Sequence, residues 1–322
     1  MTTRWRSAVG SLWFRLAVTL GLLGVVLVEV DWHTAAEHLD AGEWPWLAGA
    51  VSVLELAFLV GAVRWFRLLA GAGIEISLAR TLRAYMIGMF SNNFLPTGFG
   101  GDATRAIIVG RSRSRLARAA TSVLADRVTS VACLVLVGWI AAAADPRAVP
   151  GSLALGFLGL SVAGAIVAVA AALLLVVGAR REHRIPRRLR SSVREIRATV
   201  ARYARQPALL SWTLLLGVVF QVLTVGATWL IARALGVDLS FALLAVVAPI
   251  VLLATVLPIS IAGFGVREGS YVVLLGAAGV SHTDAALLSL LTGASLAAAS
   301  LAGAVALLVP ARDRGLVDPR AG

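Results

Sequence analysis

Apolar runs long enough to cross a bilayer alternate along the chain with short segments that hold most of the charge. About 20 apolar residues suffice for a crossing, and six runs qualify, near residues 12–30, 46–69, 120–143, 151–177, 208–231 and 285–308. The first follows Arg4 and Arg6 and has the outline of a signal peptide. No small-residue cleavage site follows its apolar core, so it is expected to stay as the first helix. Two further apolar stretches break in the middle. One carries "NNFLPTGFGGDATR" at residues 92–105 and the other "LPISIAGFGVREG" at residues 257–269. Each places Leu-Pro at the end of an apolar arm, then Gly-Phe-Gly, then a charged pair: Asp102 with Arg105, and Arg267 with Glu268.

Composition narrows the class. The 322 residues are 59% hydrophobic and 14% charged, far below the roughly 25% charge of a soluble domain. The fold class expected is an all-α polytopic membrane protein. The basic residues are all arginine, which points to genome base composition rather than to a special chemistry. The arginines flank apolar spans, as the positive-inside rule requires, so the high pI does not indicate nucleic-acid binding. Cys133 is the one cysteine and reads as a small packing residue.

Charge also orients the chain. Residues 31–43 hold Asp31, Glu37, Asp40 and Glu43 without arginine and are expected outside. Residues 64–83, 105–118 and 180–205 are arginine-rich, and Arg312 and Arg314 follow the last run. Both termini are therefore expected on the cytoplasmic side of the cell (inner) membrane. Arginines lie on both sides of residues 84–101, so a single crossing there would put one cluster outside. A segment that enters and returns on the same side avoids this, and the same reasoning applies to residues 241–282. The expectation is six full spans plus two re-entrant hairpins; eight conventional spans are the alternative.

The spans flanking the two hairpins run in opposite senses, the pattern of an inverted-topology repeat whose broken helices form a substrate site near the bilayer midplane. The units expected are residues 46–143 and 208–309, joined through the basic 180–205 loop within one membrane domain. Pro96 and Pro258 remove backbone donors and disfavour helix before them. Gly98, Gly100, Gly101, Gly263 and Gly265 are the turn-shaping glycines, permitting positive φ or close backbone approach. Non-helical backbone at membrane depth survives only inside protein or against a hydrated cavity. The plainer reading is two interhelical loops near the surface, with glycines as caps.

The stretches "SNNFLPTGFGGDATRAIIVGR", "ADRVTSVACLVLVG" and "LPISIAGFGVREGSYVVLL" resemble the lysylphosphatidylglycerol synthase transmembrane region, or flippase-like, family over about residues 10–310. The resemblance implies lipid translocation or lipid handling between leaflets. In bifunctional members of that family a cytosolic aminoacyltransferase follows the membrane region. Here only residues 312–322 follow the last run, so no such enzyme domain is expected. Relatives that accompany glycosyltransferases or polyprenyl-lipid pathways leave the lipid unspecified.

An ionised group at the bilayer centre costs about 2.5–3.5 kcal/mol on insertion scales, which makes the charged residues within spans informative. Arg64 and Arg67 are expected to snorkel from a helix end. Glu55 is either a structural ion-pair partner or a cavity-lining acid. Asp126 and Arg127 are expected to start a helix near the interface, as structural or coupling charges. Asn92, Asn93, Asp102, Arg105, Arg267 and Glu268 are the substrate-binding candidates: Arg105 and Arg267 for phosphate, the acids to orient them or carry a proton, the asparagines for headgroup hydrogen bonds. Alternatively, Asp102 and Arg105 close the re-entrant tip as an internal pair. Val193, Ile196 and Val200 give the basic loop an amphipathic stretch, although such a run more often only sets topology. "HTAAEH" at residues 33–38 is off by one from histidine–glutamate metal signatures, and no metal, cofactor or ATP-binding loop is expected. The chain is therefore expected to be a non-enzymatic flippase or transporter for an anionic phospho- or polyprenyl-linked lipid. The alternative is an accessory subunit that presents lipid to a separate glycosyl- or acyltransferase.

Overall fold

The computed structural model describes residues 43–94, 100–110, 112–177, 187–256 and 263–308, together with Leu20 and Gly24. These residues form ten α-helices and one 3-10 turn, with no strand among them. The helices are α1 (Trp44–Gly71), α2 (Leu78–Phe94), α3 (Gly100–Val109), α4 (Arg113–Ala144), α5 (Gly151–Val177), α6 (Arg187–Ala204), α7 (Pro207–Ala234), α8 (Phe241–Val256), α9 (Val266–Gly276) and α10 (His282–Leu308). The chain is an all-α polytopic membrane protein. Five helices are long and apolar enough to cross a membrane: α1, α4, α5, α7 and α10. They coincide with five of the six runs expected from hydropathy. The run at residues 12–30, Pro96, Gly98 and Pro258 lie outside the described residues, apart from Leu20 and Gly24.

Local chemistry sets the ends of the spans. Proline enters α1 and α7 in the first turn, where its missing N–H would have had no intrahelical partner. Ser112 caps α4, its Oγ accepting from the Arg115 N–H at 3.3 Å. Ser281 caps α10 in the same way, accepting from the Asp284 N–H at 3.0 Å.

The interrupted stretches form two helix pairs with short arms. At 1.5 Å per residue, the ten residues of α3 span about 15 Å and the eleven of α9 about 17 Å. The hydrocarbon core is about 30 Å thick, so neither arm could cross it. In the first pair Gly101 packs against Gly88 and Asn92, and Arg105 lies four residues further on beside Gly88 and the Tyr85 ring. Rising numbers in α3 thus meet falling numbers in α2, and the pair is antiparallel. In the second pair α8 packs on α9, with Gly263 against Thr255.

The packing has an internal correspondence. Exchanging α1 with α7, α2 with α8, α3 with α9 and α4 with α10 maps the main helix contacts onto one another. Thus α2 packs on α10 as α8 packs on α4, α3 on α4 as α9 on α10, and α4 on α7 as α10 on α1. Helices α1 and α7 share the most extensive interface. Pro249 lies inside α8, which deprives the Ala245 carbonyl of its helical donor. Gly138 of α4 comes up against that same carbonyl, where a Cβ would stand 2.9 Å from its oxygen. Small residues at such crossings let membrane helices approach closely.

Helix α6 lies outside this correspondence and, together with the first turns of α4, fastens onto the end of α1. Arg202 donates to the Ala72 carbonyl at 2.6 Å, Arg118 to Gly73 at 2.9 Å and Arg115 to Glu75 at 3.0 Å. The Tyr203 hydroxyl donates to the Leu68 carbonyl at 2.8 Å, and burial pushes that phenol's pKa up, keeping it a donor. Together these groups satisfy carbonyls at and just beyond a helix C-terminus, the end that favours cations. Of the amphipathic positions expected here, Val200 is exposed, while the neighbouring Thr199 is buried.

Candidate functional site

Five charged side chains from α1, α3 and α4 meet in one chain of ion pairs. Arg64 Nε donates to Asp126 Oδ1 at 2.8 Å, and Arg105 Nη1 lies 3.0 Å from Asp126 Oδ2. Arg105 also reaches Asp102 Oδ1, through Nη2 at 2.9 Å and Nε at 3.1 Å. Arg127 Nε closes the chain on Asp102 Oδ2 at 2.7 Å. Every carboxylate oxygen in the series therefore holds a guanidinium. The connectivity is Arg64–Asp126–Arg105–Asp102–Arg127, with each aspartate bridging two arginines.

Sequence explains how each member arrives. Asp102 and Arg105 are three apart on α3 and so share a face. The hairpin delivers them because Gly101 lets α3 lie directly on α2: a Cβ there would collide with the Gly88 carbonyl oxygen. Asn92 holds the same turn, its Oδ1 accepting the Gly101 N–H at 2.9 Å. Gly100 opens α3, and in the second unit Gly263 and Gly265 adopt φ of 79° and 81°. Asn93 lies in the last turn of α2.

Arg105 is 1% exposed and sits between aromatic rings. Its Cζ is 5.0 Å from the Trp65 ring centre and 5.2 Å from that of Tyr85, within cation–π range. Trp65 is itself fixed, donating from Nε1 to Ser122 Oγ at 3.0 Å. Arg64 lies 5.2 Å from the Phe220 ring centre of α7, and its buried Nη1 has no hydrogen-bond partner among the described residues.

The second unit is built differently. Arg267 Nη2 and Nε both contact Glu268 Oε1, at 2.7 and 3.1 Å. Glu268 Oε2 accepts the Gly265 N–H at 2.6 Å, the backward reach of a helix-capping glutamate. Arg267 is packed against Gly293 of α10 and over the Phe264 ring at 5.3 Å. This pair stays within its own helix turn, whereas the first cluster ties three helices together.

Several expectations need correction. Asp126 and Arg127 do not start a helix: α4 begins at Arg113, because Ser112 supplies the cap. Asp126 is buried mid-helix. Arg64 does not snorkel; it is buried and ion-paired, while Arg67 on the next turn is exposed. Glu55 has no ion pair among the described residues and lies on an exposed face of α1 with Leu56 and Leu59. The partners Arg64, Trp65 and Tyr85 were not among the expected site residues. A signal for Arg64 was present, since Ala50, Ala57, Gly61 and Arg64 share the buried face of α1 and small residues mark packing faces in membranes.

Comparison with known proteins finds membrane proteins. The sequence model of the family described as the lysylphosphatidylglycerol synthase TM region matches residues 12–308. A UPF0104 membrane protein from Methanothermobacter thermautotrophicus is 28% identical over 258 residues, 73% of this chain and 76% of the relative. Another, from Pyrococcus horikoshii, is 25% identical over 268 residues, 75% of this chain and 80% of the relative.

Proposed function

Because the chain belongs to the lysylphosphatidylglycerol synthase TM region family, we propose that it moves an anionic phospho- or polyprenyl-linked lipid between leaflets and performs no catalysis. One observation carries this reading: a hairpin arm too short to cross the bilayer joins a chain of arginines and aspartates buried against two helices long enough to span it. Charge placed there at such cost marks substrate or ion pathways more often than packing. On this reading the two helix pairs are the re-entrant elements of an inverted repeat, units 46–143 and 208–309. The headgroup passes between them while its tails stay in lipid. Arg105 braces the site; direct contact with phosphate requires its bonds to Asp102 and Asp126 to open. Arg267 serves the opposite unit. On this reading both termini lie on the cytoplasmic side of the cell membrane, which the arginine-rich segments and the basic helix α6 support.

Reconstitution into vesicles carrying a fluorescent lipid on both leaflets tests the reading. Accelerated loss of inner-leaflet fluorescence to an external quencher is the expected result. Lipid bound by the purified protein without any movement would instead favour the accessory role, in which lipid is presented to a separate glycosyl- or acyltransferase.

A further inference from the structure

We infer that the guanidinium of Arg127 is a docking port for a lipid phosphodiester, reached sideways from the bilayer along the seam between α3 and α4. The inference rests on the lipid-handling reading above and names the residue and the ligand chemistry.

Four observations lead to it. Only one member of the ion chain is open to the surroundings. The Arg127 side chain is 41% exposed, against 9% or less for the other four. Its Nε is held by Asp102, and neither Nη makes a hydrogen bond among the described residues. That leaves a fixed, outward pair of donors, suited to two oxygens of a phosphate. Arg105 is sealed, and Arg267 already commits Nε and Nη2 to Glu268, so neither offers the same pair.

The charge balance agrees. Three guanidiniums face two carboxylates, which leaves the chain one positive charge in excess. Both Asp102 oxygens are occupied, one by Arg105 and one by Arg127, so its carboxylate is already compensated. A phosphodiester carries a single negative charge and would bring the assembly to neutrality.

The flanks identify the source of that phosphodiester. On α4, Leu124 is 61% exposed and Val128 57% exposed, both beside Arg127. Further along the same seam, Ile107 and Ile108 of α3 are exposed as well, toward the end of α3 that meets Leu116. An open guanidinium framed by apolar side chains suits a headgroup whose acyl chains lie alongside. A soluble anion gains nothing from such a frame.

The test uses the full-length protein in mild detergent, with native mass spectrometry reading retained lipid. The probes are phosphatidylglycerol, diacylglycerol with the same acyl chains, and inorganic phosphate. The wild type is expected to retain phosphatidylglycerol on the order of tenfold over diacylglycerol, with millimolar phosphate failing to compete. Arg127→Gln and Arg127→Lys should each lose most of that preference, lysine because it lacks the planar fork. Arg233→Gln, at an exposed helix end, should keep it. Leu124→Glu places a carboxylate one turn from the fork without replacing a member of the ion chain. It should abolish the preference too, and it decides the matter if the Arg127 variants fail to fold. Undiminished preference in the folded variants overturns the port while leaving lipid handling intact. Absence of any preference in the wild type overturns the lipid reading itself. Effective competition by inorganic phosphate overturns the lipid source.

Discussion

Asp126 is the side chain on which the first unit depends. It accepts from Arg64 and Arg105 at once, so Asp126→Asn would leave two buried guanidiniums facing a neutral amide. Breaking a buried pair from one side costs about 3–5 kcal/mol, and the variant should lose most of its thermal stability in detergent. Glu55→Gln, on an exposed face, should melt with the wild type; equal losses in both would show that the ion chain is not the source of stability. Gly101 is the second sensitive position. Gly101→Ala drives a methyl into the Gly88 carbonyl oxygen, and small-to-large changes in packed sites cost about 1–3 kcal/mol or more. A sharp drop in monodisperse protein is expected, whereas Gly164→Ala, with open space around it, should express normally.

Among the elements, the spans were legible and the site was only half so. Apolar runs mark α1, α4, α5, α7 and α10 because hydrocarbon imposes length and composition directly. Leu-Pro followed by Gly-Phe-Gly marked the two interrupted stretches. The pairing of Asp102 with Arg105 could be read from helical spacing. The roles of Arg64 and Asp126 could not, because they depend on which face of a uniformly apolar helix turns inward. Hydropathy carries no periodicity in such a helix, and the helix boundaries were blurred by arginines on both sides of residue 120. The re-entrant reading has its own measurement. With Cys133 replaced by serine, a cysteine at Thr97 should resist an impermeant thiol reagent added outside, while one at Thr34 reacts. Strong external labelling at Thr97 would favour eight spans. A further contrast separates the two short arms: α3 is ion-paired to α4, whereas the ion pair of α9 closes on its own turn. Amide exchange is therefore expected to be several-fold faster in α9 than in α3, and equal rates would count against a looser second hairpin.

For the molecule as a whole, the ion chain bears on how it is made. Arg64, Arg105, Arg127, Asp102 and Asp126 reside on three different helices, and each alone would be costly to release into lipid, by roughly 2.5–3.5 kcal/mol at the bilayer centre. Helix α3, short and carrying two of the five, has no prospect of partitioning independently. The ion pairing exists only after α1, the first hairpin and α4 have come together. Emerging segments are consequently expected to stay together until α4 is synthesised, so that the first half of the protein enters the membrane as a unit. Helices α7 to α10 carry no comparable debt and can follow one at a time, so a defect in the ion chain is expected to appear first as a failure of biogenesis and only afterwards as a failure of the proposed transport.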